Sequence, residues 1–340
     1  MKKVVTFGEL MMRLSPSDGL RFNQANSCDF FFGGSEANVA AALAQYGVPV
    51  AFVSKLPENA FGKAAVETLQ RYGIDTSGIV RGGRRIGMYM TEKGLSPCSS
   101  VCTYDRAGSA FAEAGENDFD WEKIFAGAGW FHFSGIVPAL GTNLEQICLT
   151  ACMAAKKAGL TVSCDINYRS KLWKADYQGS DRNKQALDYA SAVMCRLCQY
   201  ADVLFVNEEE ALVLGVPVTG EDLTSASEFE DMACRLQQKF DCRIITSVAR
   251  INGNSEVKAM LQEKELVSSA SYPLHVVDPI GAGDAYAAAL IYRLLQKPAD
   301  KESVDFAAAA CAVKHSIRGD FNLVSEAEIK SFSTASGVQR

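Results

Sequence analysis

The chain has no run of basic residues, and its 34 Lys and Arg are outnumbered by 40 Asp and Glu, a formal net charge of -6. Nucleic acid and anionic membrane surfaces are therefore poor partners, whereas a small anionic substrate needs only a few local arginines. No apolar run approaches the length of a membrane span. The opening Met1-Lys2-Lys3-Val4-Val5-Thr6-Phe7 lacks a long apolar segment ending at a small-residue cleavage site, so a first core strand is expected there rather than a secretion signal. Internal repeats, low-complexity tracts and linkers long enough to part autonomous domains are missing too. Cysteine is not scarce, at eleven, but a disulfide framework is absent. Cys148 and Cys152 fall in a helical pattern, Cys164 in a strand pattern, and Cys195 and Cys198 form one C-x-x-C with no second pair. Packing is the preferred reading over zinc or redox chemistry, and a reduced, cytoplasmic setting is expected.

What is present is alternation. Apolar runs bounded by Gly and Pro are followed by helical periods over most of the 340 residues. Strands are expected at 4–7, 50–53, 130–134, 161–165, 203–206 and 243–246. Helices are expected at 36–46, 60–72, 144–158, 182–199 and 228–240. This is an α/β fold, a mostly parallel sheet covered on both faces. Two segments break the rhythm, about 12–32 and 84–112. Alternating stretches such as Gly87-Met88-Tyr89-Met90-Thr91 suggest antiparallel strands outside the main sheet, joined as a lid. A single domain over 1–330 and a loose polar tail over 331–340 complete the expectation.

The stretch around which the chain is organised is Asp278-Pro279-Ile280-Gly281-Ala282-Gly283-Asp284. A strand approach over 271–277 precedes it and a helix of small residues follows. Unpaired N–H groups and partial positive charge at a helix start suit phosphate oxygens, and glycines allow close approach. Asp284, kept ionised by the same field, could accept a proton from an attacking hydroxyl. A tight turn with an aspartate near the N-cap is the competing account.

Five further groups bear on the choice. Gly33-Gly34-Ser35-Glu36-Ala37-Asn38 leads into a helix with Ser35 as a natural N-cap. Its amides and Asn38 could reach a sugar hydroxyl or carboxylate. Tyr104-Asp105-Arg106, with Tyr89 one strand earlier, suits a carboxylate-bearing polyol or, alternatively, a subunit contact. Asp165-Ile166-Asn167-Tyr168-Arg169 begins at a strand's C-terminal end, where open α/β sheets place ligands. Asn207-Glu208-Glu209-Glu210 follows another strand and could hold Mg²⁺ through water or complement a helix dipole. Near the end, His315-Ser316-Ile317-Arg318-Gly319-Asp320 could border an adenine pocket or be a helix C-cap.

Taken in this order, the motifs resemble the ribokinase-like (PfkB-type) carbohydrate kinases over nearly the whole chain. Tyr104-Asp105-Arg106-Ala107-Gly108-Ser109-Ala110 and the segment 165–173 are similar to the 2-keto-3-deoxygluconate kinases of that family. The resemblance implies a three-layer α/β/α fold with a small β lid that also builds a homo-oligomer. It implies ATP, Mg²⁺ and, in addition, a monovalent cation. Asp284 would be the base, with Gly281, Ala282 and Gly283 forming the anion hole. Gly33, Gly34, Asn38, Tyr89, Tyr104, Arg106, Arg169 and Asp320 would bind the sugar acid. Asn167, Asn207, Ser247, Gly281, Gly283 and His315 would lie toward the nucleotide, and Asn207 and Glu210 would organise Mg²⁺. The implied activity is ATP-dependent phosphorylation of 2-keto-3-deoxygluconate to its 6-phosphate.

The chain departs from the family pattern at three places. Pro279 and Ile280 stand where threonines are usual, and Gly8-Glu9 replaces a frequent Gly-Asp. Ser247-Val248-Ala249-Arg250 stands where Gly-x-x-Gly is common. Kinases of fructose, a sugar phosphate or a nucleoside, and a catalytically silent binding protein on the same scaffold, are the alternatives. A dinucleotide-dependent dehydrogenase is set aside, because its glycine fingerprint follows an early strand and this one falls near residue 281.

Overall fold

The computed structural model describes residues 1–17, 19–94, 100–173, 181–218 and 225–334. Among the described residues, ten strands form the main sheet. From one edge the order is Leu266–Ser268, Glu256–Gln262, Ile244–Ile251, Val203–Phe205, Thr161–Asp165, Ala128–Ser134, Lys3–Phe7, Val50–Leu56 and Ile79–Arg81, with Tyr272–Pro273 paired to Glu256–Gln262. The strands from Ile244–Ile251 to Ile79–Arg81 run parallel, and the far edge is antiparallel.

Strand Lys3–Phe7 shows why both faces are covered. Successive side chains point to opposite sides, and Val4 enters one hydrophobic core while Val5 and Phe7 enter the other. On the Val4 face pack the helices Ser35–Gln45, Ala60–Arg71, Ala282–Leu294 and Lys301–Lys314. Alanines Ala40, Ala41 and Ala42 of the first and Ala287, Ala288 and Ala289 of the third are fully buried there. Small side chains let helix axes approach closely, which brings the starts of Ser35–Gln45 and Ala282–Leu294 together. The opposite face carries Trp121–Phe125, Thr142–Lys157, Arg182–Cys198 and Ala226–Phe240. Cys148, Cys152, Cys164 and Cys198 are buried in that second core, and the described cysteines are free thiols.

Four strands form a separate lid sheet, in the order Cys28–Gly33, Met11–Pro16, Gly87–Glu92, Val101–Asp105. The expectation of antiparallel strands holds for the outer pairs only. The central pair, Met11–Pro16 with Gly87–Glu92, is parallel. These two strands come from separate chain segments, so no hairpin turn dictates their direction.

Other local expectations change. The approach over 271–277 contributes only the short strand Tyr272–Pro273; proline cannot donate to a ladder, and the N–H groups of Val277 and Asp278 turn to the His315 carbonyl instead. The strand expected at 243–246 runs on as Ile244–Ile251 and folds back through Asn252, Gly253 and Asn254, all at positive φ. Residues 331–334, expected in a loose tail, belong to helix Glu326–Thr334, and 335–340 lie outside the described residues. Among the described residues, no helix is long and apolar enough to cross a membrane.

Candidate active site

Asp284 lies in the first turn of helix Ala282–Leu294, whose N-cap Gly281 adopts φ 82°. A side chain at Gly281 would be strained at that angle, and its Cβ would fall 2.2 Å from the Asp320 carbonyl oxygen. The Ala282 N–H closes a turn on the Pro279 carbonyl at 3.3 Å, while the N–H groups of Gly281 and Gly283 have no backbone acceptor among the described residues. A Cβ built on Gly283 would meet nothing within 4 Å, so the helix mouth opens onto space there.

Ser35 was expected to cap its own helix. Gly34 takes the N-cap position instead, and Ser35 Oγ donates to Asp284 Oδ1 at 2.7 Å. Asn38 Nδ2 donates to Asp284 Oδ2, also at 2.7 Å. The two helix mouths therefore face each other across one carboxylate, held by residues nearly 250 positions away in the chain. Asn38 Oδ1 meanwhile accepts from the Gly34 N–H at 3.3 Å, so Asn38, expected at a ligand, joins Gly34 to the Asp284 carboxylate. Burial pushes the Asp284 pKa above the ordinary carboxylate value; the Asn38 and Ser35 hydrogen bonds and the charges of Arg169 and Lys314 oppose the rise.

Two cavities meet at this mouth. The first is lined by Gly34, Asn38, Tyr89, Tyr104, Arg106, Arg169, Asp284 and Asp320, together with Gly281, Ala282 and Gly283. The second is lined by Asn167, Asn207, Glu210, Ser247, Thr246 and Gly283. Asp165, Asn167, Arg169 and Gly283 border both. Gly33 lines neither cavity; it stands behind the first, and a Cβ there would fall 2.1 Å from Asp320 Oδ1. His315 lies outside both. It is buried, with Nδ1 2.8 Å from the Cys311 carbonyl and Nε2 3.1 Å from the Arg250 guanidinium. Burial lowers its pKa, leaving the ring neutral near pH 7.

Buried charge pairs back the first cavity, and of their members Tyr89, Arg106 and Asp320 line it. Arg106 Nε donates to Glu9 Oε2 at 2.7 Å, a second guanidinium nitrogen meets the same oxygen, and Ser109 Oγ donates to Glu9 Oε1 at 2.5 Å. Tyr89 donates its hydroxyl to Asp320 Oδ1, and its ring stacks on Tyr104 at 5.7 Å between centroids. Burial raises the Asp320 pKa to about 6, against the pull of Arg13. Arg13 reaches from the lid to both Asp320 Oδ2 (3.2 Å) and Asp278 Oδ2 (2.6 Å). Asp278 Oδ2 also accepts from the Gly319 N–H at 3.0 Å.

Glu9, Arg13 and Ser35 were not singled out from the sequence as site residues. Each carried one faint signal: a glutamate where aspartate is frequent, an arginine inside an apolar strand pattern, and a serine beside two glycines.

In the second cavity Asn167 adopts φ 43°, a left-handed angle that asparagine tolerates better than most, and donates to Ser35 Oγ at 3.1 Å. Asn207 and Glu210 form a reciprocal capping box on helix Glu208–Val213. Glu210 Oε2 accepts from the Asn207 N–H at 2.8 Å and Oε1 from the Tyr168 N–H at 3.0 Å. Burial raises the pKa of Glu210, and burial together with Glu210 and Asp284 raises that of Asp165. Among the described residues no group of three or more His, Cys, Asp or Glu is placed to hold a metal ion directly, so a divalent cation here would be held through water.

Known proteins share this fold over nearly the whole chain. The profile of the pfkB family carbohydrate kinases matches residues 1–321. A 2-dehydro-3-deoxygluconokinase from Thermotoga maritima superposes with a TM-score of 0.91 at 42% identity, covering 98% of this chain and 100% of that one. A 2-dehydro-3-deoxygalactonokinase from Haloferax volcanii is 30% identical over 96% of this chain and 95% of its own length. A ribokinase-type protein from E. coli, solved in complex with ATP and Mg²⁺, shares the fold at a TM-score of 0.80 and 21% identity, covering 98% and 99% of the two chains.

Proposed function

Since this chain belongs to the PfkB family of carbohydrate kinases, we propose that it phosphorylates 2-keto-3-deoxygluconate (2-dehydro-3-deoxygluconate) at its primary hydroxyl, giving the 6-phosphate. PfkB kinases use ATP and Mg²⁺, and the second cavity, past Gly283, is assigned to the nucleotide. The first is assigned to the sugar acid. The observation that carries the reading is the placement of Asp284 and the open Gly283 at the junction of a cavity holding Arg106 and Arg169 with a second cavity lined by Asn167, Asn207 and Glu210.

In this reading Asp284 takes the proton of the attacking hydroxyl. Ser35 and Asn38 hold its carboxylate in line and keep part of it ionised despite burial. The free N–H groups of Gly281 and Gly283 receive the charge that develops on the transferring phosphoryl group. Arg106, oriented by Glu9, and Arg169 bind the carboxylate of the sugar acid, and Tyr89, Tyr104 and Asp320 its hydroxyls. Mg²⁺, when bound, neutralises phosphate charge, and Asn207, Glu210 and Asp165 would hold it through water. The exposed lid residues Phe30, Val101 and Tyr104 support a homo-oligomer formed through the lid. Free cysteines support a cytoplasmic location.

ADP release measured by a coupled assay over a panel of acceptors tests the substrate. 2-Keto-3-deoxygluconate is expected to give the highest kcat/KM. The galactonate epimer is the nearest competitor, in view of the Haloferax volcanii relative. A neutral hexose turned over faster than either would overturn the sugar-acid assignment.

A further inference from the structure

Lys314 ends helix Lys301–Lys314, is fully buried, and touches the chemistry described above only through the pull of its charge on Asp284. A buried lysine is costly unless its charge is compensated. Here its ammonium donates to two main-chain carbonyls, Ile317 O at 3.1 Å and, more weakly, Asp278 O at 3.5 Å. Asp278 opens the loop that ends at Asp284, and Ile317 lies in the turn that delivers Asp320. Burial lowers the Lys314 pKa, with Arg13 acting in the same sense, and the carboxylates of Asp278, Asp320 and Asp284 oppose the fall by favouring the ammonium. A compact positive centre facing carbonyl oxygens, among three carboxylates, has the coordination chemistry of a hard monovalent cation.

We propose that Lys314 is the resident cation of the phosphoryl-holding loop, standing where a monovalent metal ion would otherwise bind and making turnover independent of one. This rests on assigning 281–284 to phosphoryl transfer, but not on which sugar is used. It replaces the monovalent cation implied by the family resemblance. Lys314 is a positioning residue: it ties the start of the loop to the turn before Asp320, so that the glycine amides and Asp284 keep their register. Arg13 serves the side chain of Asp278, and Lys314 its carbonyl.

The test compares wild type, Lys314→Ala and Lys314→Met in choline, sodium, potassium or ammonium chloride at constant ionic strength, reading both ADP formation and thermal unfolding. Wild-type kcat is expected to be the same in choline and potassium. Lys314→Ala should lose about 10- to 100-fold in kcat, the scale of a displaced catalytic geometry, with a smaller change in KM. Potassium or ammonium, but not choline, should restore part of that loss by entering the vacated space. Lys314→Met, which fills the space without charge, should be impaired and not rescued. Stimulation of the wild type by potassium overturns the proposal, as does full turnover by Lys314→Met or absence of rescue in Lys314→Ala. Should no acceptor give ADP even with wild type, the kinase reading fails separately. The proposal is then decided by unfolding alone: potassium raising the Tm of Lys314→Ala over choline supports it, and equal Tm values sink it. Should the variants not fold, the wild-type comparison decides, with potassium stimulation as the overturning result.

Discussion

The two cavities that meet at Gly283 are built differently. The cavity assigned to the sugar acid is backed by long-range pairs: Glu9 with Arg106, Arg13 with Asp278 and Asp320, Tyr89 with Asp320. All six side chains are mostly or wholly buried. The wall of the cavity assigned to the nucleotide combines a local capping box between Asn207 and Glu210 with longer-range bonds from neutral donors, Tyr168 N–H to Glu210 and Asn167 to Ser35. A charge held by a partner a hundred residues away is fixed before any ligand arrives, and a buried pair tolerates little change. The contrast suggests that selectivity resides in the preassembled side, while the other side carries what a common cosubstrate requires.

The comparison can be broken or sharpened by measurement. The largest effect is expected at the junction itself: Asp284→Asn should lower kcat by roughly 10²–10⁴-fold, the usual scale for a general base. Near-full turnover in that variant would remove the mechanism. Next, Arg106→Ala should raise KM for the sugar acid by roughly 10- to 100-fold. This is the range of a lost charge-assisted hydrogen bond, with kcat changed much less because the carboxylate does not react. A fall in kcat with unchanged KM would assign Arg106 to the reaction instead. On the other side, Glu210→Gln should raise the Mg²⁺ concentration needed for half-maximal rate while leaving the sugar KM alone. A selective change in sugar KM would reverse the two assignments.

The smallest expected effect is a displacement along the pH axis. Burial already raises the Asp284 pKa, so the acidic limb of kcat should lie above the ordinary aspartate range. The Asn38 hydrogen bond favours the ionised form, and Asn38→Ala removes it. The Asp284 pKa then rises further, the base is protonated at higher pH, and the acidic limb moves toward neutrality. A limb that stays in place or moves to lower pH would show that Asn38 does not tune this carboxylate.

Much of this was legible in the chain. The signature 278–284 was readable because its elements are local: two glycines, a helix start and an aspartate lie together at one helix mouth. The alternation of strands and helices was equally plain, since hydrophobic period reports directly which face is buried. The lid segments were visible as interruptions of that rhythm. The direction of the lid's central pairing was not, because hydrogen bonding between two remote strands leaves no mark on either. Ser35 looked like an N-cap for the same reason: its local sequence suits one, and only the packing of two alanine-lined helices turned its hydroxyl to Asp284. His315 looked available to a ligand and proved to be held between Cys311 and Arg250.

The amino-acid order by itself determined the layered α/β architecture, the phosphate-suited helix mouth and the arginines that suit an acid sugar. Each of these follows from periodicity or from neighbours within a few residues. The tertiary structure decided which carboxylates are paired, which are left to act, and that Glu9, Arg13 and Lys314 stand behind the site. Charges interact through space with little regard for chain distance, so a buried ion's partner is fixed only when the helices and the lid have packed.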